Sequence, residues 1–219
     1  MFRSFDAASD VSSVTAVKSS VVRGIKRSIV EMYPSIEPYI EDIVPKDGVK
    51  EGKGKDKMTF VVVEGTPLFF RVREGPYFPT LHLLHQCAFA SPPAPLRSGI
   101  ELKSAHSLTS QCLPLAPPLA PTRPDPLMMA RVCVDKGAIK FVLKGADVMC
   151  PGLTSAGGSM ATPLPEGAPV AVYAEGKEHA LALGVMALST DAVRSVNKGV
   201  AIETMHFQGD ELFKTQKME

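Results

Sequence analysis

Between residues 12 and 33, apolar residues recur at steps of three and four, at Val14, Val17, Val21, Ile25, Ile29 and Met32. That period places them on one helical face, with Lys18, Arg23, Lys26 and Arg27 mostly elsewhere around the helix as a solvated basic surface. Asp10 or a nearby serine is the expected N-cap, and Pro34 ends the run because proline disfavours helix at the residue before it. A second short helix is predicted over residues 36–44. The following PKDGVKEGKGKDK reads as a flexible connection rather than a basic arm, because Asp47, Glu51 and Asp56 offset much of its lysine charge.

MTFVVV and LFFRVR, separated by EGTP, make a predicted β-hairpin of apolar, β-branched and aromatic residues. The end of LFFRVR and the REGPYFPTLHLLHQC that continues it mix Arg71, Arg73, Tyr77, Phe78, His82 and His85. Aromatics beside arginines can stack on bases and neutralise phosphates. Phe69, Phe70, Leu81 and Leu84 fit a core instead.

Residues 90–126 are of a different kind. They hold nine of the chain's 19 prolines and follow neither hydrophobic period, so no packed core is expected there. The stretch reads as a disordered or polyproline-II excursion that divides the chain into 1–89, 90–127 and 128–219. From Arg131 the pattern becomes regular again. AIKFVL and the segment around VMCPG read as strands joined at Lys144–Gly145. Alternation from Lys136 to Leu143 would place Lys136, Ala138, Lys140 and Val142 on one face and Gly137, Ile139, Phe141 and Leu143 on the other. PVAVYAEGKEHALALGVMAL predicts a strand pair about a turn at Glu175–Gly176–Lys177, where glycine suits a positive φ. DAVRSVNKG predicts a short helix with Asp191 near its start and Gly199 as C-cap, and VAIETMHF a final strand before a charged tail. Short strands with one small helix predict a compact β-barrel, so the chain as a whole is expected to be α+β.

Composition narrows the partners only a little. The 219 residues are 45% hydrophobic and 21% charged with a net charge of +1, so a nucleic-acid binder of this make-up must gather its cations into patches. Cys87, Cys112, Cys133 and Cys150 lack the paired spacing of zinc knuckles and read as free thiols; His82 and His85 lie near only the first. No metal or cofactor is expected. The opening MFRSFDAASDVSSV has no apolar leader core and no apolar run reaches membrane length, which predicts a cytoplasmic protein. There is no dinucleotide fingerprint, P-loop, zinc-hydrolase pattern or nucleophile elbow, so an enzyme is not expected.

The ordered set Gly137–Ala138 and Gly145–Ala146–Asp147–Val148–Met149–Cys150–Pro151–Gly152, followed by VAVYAEGKEHALALGVMALS, resembles a PUA domain. A PUA domain is a small pseudobarrel that binds structured RNA. FFRVREGPYFPTLHLLH, VDKGAIKFVLKGADVMCPGLTS and VNKGVAIETMHFQGDELF narrow the likeness to the malignant T-cell-amplified sequence family. The MFRSFD start and SSVVRGIKRSIVEMYPSIEPYI are similar too. The likeness implies a small N-terminal α/β domain with a β-hairpin, followed by a PUA pseudobarrel. Against that pattern residues 90–126 are an extra stretch of roughly thirty-five residues, far longer than ordinary connections. The resemblance further implies a heterodimer with density-regulated protein that acts on the small ribosomal subunit. There the pair would promote tRNA release in recycling, reinitiation and unconventional initiator-tRNA delivery.

For such a barrel the expected RNA-binding residues are Lys136, Gly137, Lys140, Lys144, Gly145, Pro151 and Gly152. Exposed glycine amides reach phosphates and lysines neutralise them. Ala138, Ala146 and Met149 are expected to be core. Arg71, Arg73, Tyr77, Phe78 and His82 are candidates for contact with ribosome or partner, and they fit an interdomain packing surface as well. Two other functions suit the same sequence: an adaptor in ribosome biogenesis or RNA modification that binds precursor RNA, and a proline-motif scaffold.

Overall fold

The computed structural model describes residues 2, 4–89, 128–215 and 217–218. The proline-rich excursion lies outside them. A first sheet of five strands has the order β1-β2-β3-β4-β5, formed by β1 Val11–Ala16, β2 Val49–Gly54, β3 Met58–Val63, β4 Thr66–Val72 and β5 Tyr77–Pro79. All its pairings are antiparallel. Its helices are α1 Ala7–Asp10, α2 Ser19–Met32, α3 Ile40–Ile43, reached through a 3-10 turn at Pro34–Tyr39, and α4 Leu81–Phe89.

The expected long first helix is two elements. VSSVTA, half of it β-branched, is strand β1, and the helix begins only at Ser19. The apolar period ran through both because Val14 and Val17 keep helical spacing by coincidence. Lys18 occupies the N-cap without a side-chain bond, while Asp10 pairs with Lys55 at 2.6 Å. Lys26 is also not solvated: it is buried and its ammonium lies 2.7 Å from Glu41, tying α2 to α3. The predicted loop over 45–57 contains strand β2, hydrogen-bonded on both sides. Gly54 is closely packed there, since a Cβ on it would come to 3.0 Å from the Phe60 ring. The helix predicted over 36–44 is present as the 3-10 turn and α3. The hairpin of β3 and β4 is as expected, closed by Glu64 and Gly65, both at positive φ (51° and 82°) as a tight turn of this hand requires.

The second sheet has six strands in the order β7-β11-β10-β9-β6-β8: β6 Ala130–Val134, β7 Val148–Met149, β8 Ser159–Met160, β9 Pro169–Ala174, β10 Ala182–Met186 and β11 Val200–Phe207. Only β6 and β9 pair in parallel. Its helices are α5 Ile139–Val142, α6 Cys150–Thr154, α7 Thr190–Val196 and α8 Glu211–Lys214. Gly176 has φ 73° in the turn leaving β9. Ser189 caps α7 by accepting from Ala192 N at 3.2 Å. The C-cap is Asn197 in the left-handed region rather than Gly199, which follows two residues later.

The strand predicted over 138–143 is instead the helical turn α5. Asp135 decides this by accepting the Ala138 amide at 2.8 Å, and Val142 N then donates back to the Ala138 carbonyl at 3.1 Å. The two-face alternation from Lys136 to Leu143 therefore does not exist: Phe141 and Leu143 are exposed, and Val142 is buried.

One apolar cluster runs across both sheets, and the second sheet has a further core of its own around Val132, Val172 and Ile202. Phe2, Phe60 and Phe70 of the first pack in the same apolar cluster as Leu183, Leu212 and Met218 of the second. At the seam, the buried His206 ring lies 5.9 Å from both Phe2 and Phe70, edge to face. Phe2 O accepts from Glu211 N, and Gly65 O from Met218 N.

His85 also sits in this seam, its Nε2 donating to the Ala180 carbonyl at 2.9 Å and its ring 5.0 Å from His179. Burial holds its pKa below the usual 6.5; the Ala180 bond opposes this, and His179 adds to the depression. The unfolded chain therefore takes up this proton first. Stability is expected to be complete above about pH 6.5 and to fall as pH drops through the folded-state value. Urea midpoints measured from pH 7.5 downward check this, with the decline shallower in His85→Gln; equal slopes would contradict it.

Candidate nucleic-acid interface

The loops that leave β6 and enter α6 fold over one end of the second sheet and enclose a cleft of about 680 Å³. One wall is α5 with Gly137 and Ala138 before it, and the other is Met149, Pro151 and Gly152 at the start of α6. The walls approach at Gly152, where a Cβ would sit in van der Waals contact with Ala138 Cβ at 3.4 Å. Asp135 N donates to Gly152 O at 3.0 Å and ties the two together. Two aspartates line the cleft, and both are engaged by backbone: Asp135 accepts from Ala138 N at 2.8 Å, and Asp147 accepts from Thr204 N at 2.9 Å.

The cleft brings together Lys140, Gly137, Pro151 and Gly152 from the expected set. Lys136 is exposed and loosely paired with Glu175 at 3.8 Å. Lys144 is exposed at the end of α5, and Gly145 follows with φ 73°; neither lines the cleft.

Of the residues expected in the core, Met149 is exposed and Ala138 and Ala146 are only half-buried, all three on the cleft. Phe141 is 54% and Met149 49% exposed, and both line the cleft. The Lys140 ammonium lies 5.0 Å from the Phe141 ring centre. The available signal was Asp135, a residue type whose side chain accepts from a backbone amide at the start of a helical turn. A helix reading of residues 139–142 turns Phe141 outward. An exposed ring beside a cation, rimmed by glycines, can stack a nucleobase while the lysines meet phosphates.

The N-terminal candidates divide. Tyr77 and Phe78 are buried, with Phe78 stacked on Phe70 at 5.6 Å. His82 is stacked on Phe213 at 4.6 Å with Nε2 on the Phe213 carbonyl, so it serves the domain seam. Arg71 is half-buried over Tyr77, and Arg73 is exposed with φ 54°. Only these two arginines reach the surface from that group.

A Pre-PUA-like domain profile matches residues 5–87 and a PUA domain profile matches 130–207. Malignant T-cell-amplified sequence 2 of Homo sapiens is 40% identical over 220 residues, covering 99% of this chain and all of the relative. The chain belongs to the malignant T-cell-amplified sequence family. A Drosophila melanogaster homologue of malignant T-cell-amplified sequence 1 is 39% identical with both chains fully covered. A solved structure of a hypothetical protein from Pyrococcus horikoshii shares the fold at TM-score 0.62 and 22% identity, covering 93% of this chain and 99% of that one. A PUA domain protein from Thermoplasma acidophilum does so at TM-score 0.53 and 19% identity, with the same coverage. The family frame makes the fold α+β with a C-terminal PUA pseudobarrel, and the chain an RNA-binding PUA protein. Among the described residues no helix is long and apolar enough to cross a membrane, and no group of three His, Cys, Asp or Glu is placed to hold a metal.

Proposed function

We propose that this chain is a non-enzymatic, cytoplasmic translation factor that binds the small ribosomal subunit as a heterodimer with density-regulated protein. Its work is in initiation and reinitiation, and in post-termination tRNA release and subunit recycling. The units are 1–89, a proline-rich insertion at 90–127, and the RNA-binding barrel at 128–219. The observation that carries the reading is the cleft in which the exposed Phe141 ring stands beside the Lys140 ammonium and the glycines of the α5 and α6 entries. An unpaired base of rRNA or tRNA stacks on Phe141. Lys136, Lys140 and Lys144 neutralise flanking phosphates, and the backbone at Gly137, Gly145 and Gly152, with Pro151 opening α6, permits close approach. Surface arginines Arg71 and Arg73 serve ribosome or partner contact from the other domain, with Tyr77, Phe78 and His82 holding the fold behind them.

Purified protein sedimented with isolated small subunits, with and without density-regulated protein, tests this. The expected result is co-sedimentation that weakens as salt rises and strengthens with the partner. Binding to precursor rRNA but not to mature subunits would replace this role with one in ribosome biogenesis.

A further inference from the structure

Strand β1 is an open edge of the first sheet. It pairs with β2 on one side, and among the described residues no backbone group bonds its other side. Val17 N donates to Val49 O at 3.1 Å, so in an antiparallel ladder that alternates by residue Thr15 also turns its amide and carbonyl toward β2. Those of Val14 and Ala16 turn outward and present donors and acceptors at strand spacing.

Sheet edges are ordinarily shielded by being short, or by charges and prolines on the strand itself. The edges at β7 and β8 are two residues long, and β5 is a buried three-residue strand ending in Pro79. β1 has six residues, VSSVTA, with no charge and no proline, and four of them are exposed. Its register shift between Val11 and Ser13 touches only its start. Charge lies beside the strand instead. Lys53 is across from Ser13, Lys50 is across from Ala16, and Lys18 follows the strand. All three are exposed, and none forms an ion pair among the described residues. Against them stands Glu51, half-buried across from Thr15, while Asp10 is already paired with Lys55.

We propose that the β1 edge is a docking site for an extended acidic polypeptide segment, which adds to the first sheet as a further antiparallel strand. Strands lie about 4.8 Å apart, so the long lysine side chains of β2 reach past β1 to a strand added there. Directly opposed residues share a face, so Lys50 and Lys53 emerge on opposite faces of the sheet. The segment that fits carries acidic residues across from Ser13 and Ala16 and an apolar one across from Val14. Alternating donors and acceptors match a polypeptide backbone, whereas RNA phosphates only accept and would meet the outward carbonyls of Val14 and Ala16. A second copy of this chain is disfavoured, because antiparallel β1–β1 pairing gathers the lysines of both copies along one seam.

Fluorescence anisotropy of a labelled TETVETV peptide titrated with the full-length chain tests this, together with amide exchange followed by NMR. Read antiparallel to β1, that peptide sets its glutamates across from Ala16 and Ser13 and its first valine across from Val14. Saturable binding is expected, with the Val14 and Ala16 amides slowed at least about tenfold in the complex. Val14→Pro removes an outward donor without breaking a β1–β2 bond, and edge strands tolerate proline. Lys50→Glu combined with Lys53→Glu keeps the edge and reverses its charge. Both variants should bind TETVETV at least about tenfold more weakly, and the double variant should bind TKTVKTV instead, a rescue that an unfolded chain would not give. No saturable binding by wild type, or wild-type affinity in Val14→Pro, overturns the proposal. Displacement of the peptide by oligouridylate, with Val14 and Ala16 exchanging as fast as in the free chain, makes the lysines an RNA surface and overturns it too. So does self-association of the wild-type chain that Val14→Pro abolishes, which would make the occupant a second copy.

Discussion

Replacing Asp210 with alanine is expected to destabilise the protein by about 3–5 kcal/mol. Oδ2 of this fully buried carboxyl accepts from His206 Nδ1 at 2.8 Å and Phe207 N at 3.1 Å, and Oδ1 accepts from Phe213 N at 2.8 Å. Alanine strands all three donors in the seam and removes the N-cap of α8. His206 is the group through which the second sheet meets the Phe2 and Phe70 rings, so the loss falls on the junction of the two domains. Thermal unfolding should drop by about 10 °C, and urea unfolding followed by circular dichroism gives the free energy directly. Asp210→Asn, which keeps an acceptor oxygen, should lose less. A shift below about 1 kcal/mol for the alanine variant would show that the seam does not depend on this carboxyl.

Reversing Lys140 and Lys144 together to glutamate should weaken small-subunit binding by at least about tenfold near physiological salt. The dependence of log affinity on log salt should also become shallower by about two units, close to one for each phosphate contact removed. Both side chains are exposed, so the fold should tolerate the change. Phe141→Ala separates stacking from charge: its salt slope should stay at the wild-type value while affinity falls by the equivalent of about 1–3 kcal/mol. Unchanged binding in the charge-reversed protein would remove the cleft from the RNA interface.

The hairpin β3–β4 and the final strand β11 were legible because each is rich in β-branched and aromatic residues and bounded by turn residues. Strand β2 was not. Lysine and glycine have little intrinsic strand preference, and VKEGKG is extended only because β1 and β3 hydrogen-bond both its edges. At the cleft, the glycines and Lys140 were readable from their motif, and Phe141 and Met149 were misplaced. The error at Phe141 came from reading a four-residue helical turn as a strand, a distinction that short apolar runs do not carry by periodicity alone.

What the sequence by itself determined is the family, the two-domain order and the glycine and lysine positions of the barrel entry. These follow from residue identities in a fixed order along the chain, and they do not depend on how the chain packs. Tertiary structure alone decided which of those residues face one another. Tyr77 and Phe78 are buried within the first domain, Phe78 on Phe70, whereas the half-buried His82 stacks on Phe213, more than a hundred positions away, where α8 meets that domain. The outward ring of Phe141 has the same origin. Local sequence sets where a side chain can point, but whether a neighbour or water covers it is set by distant segments brought together on folding.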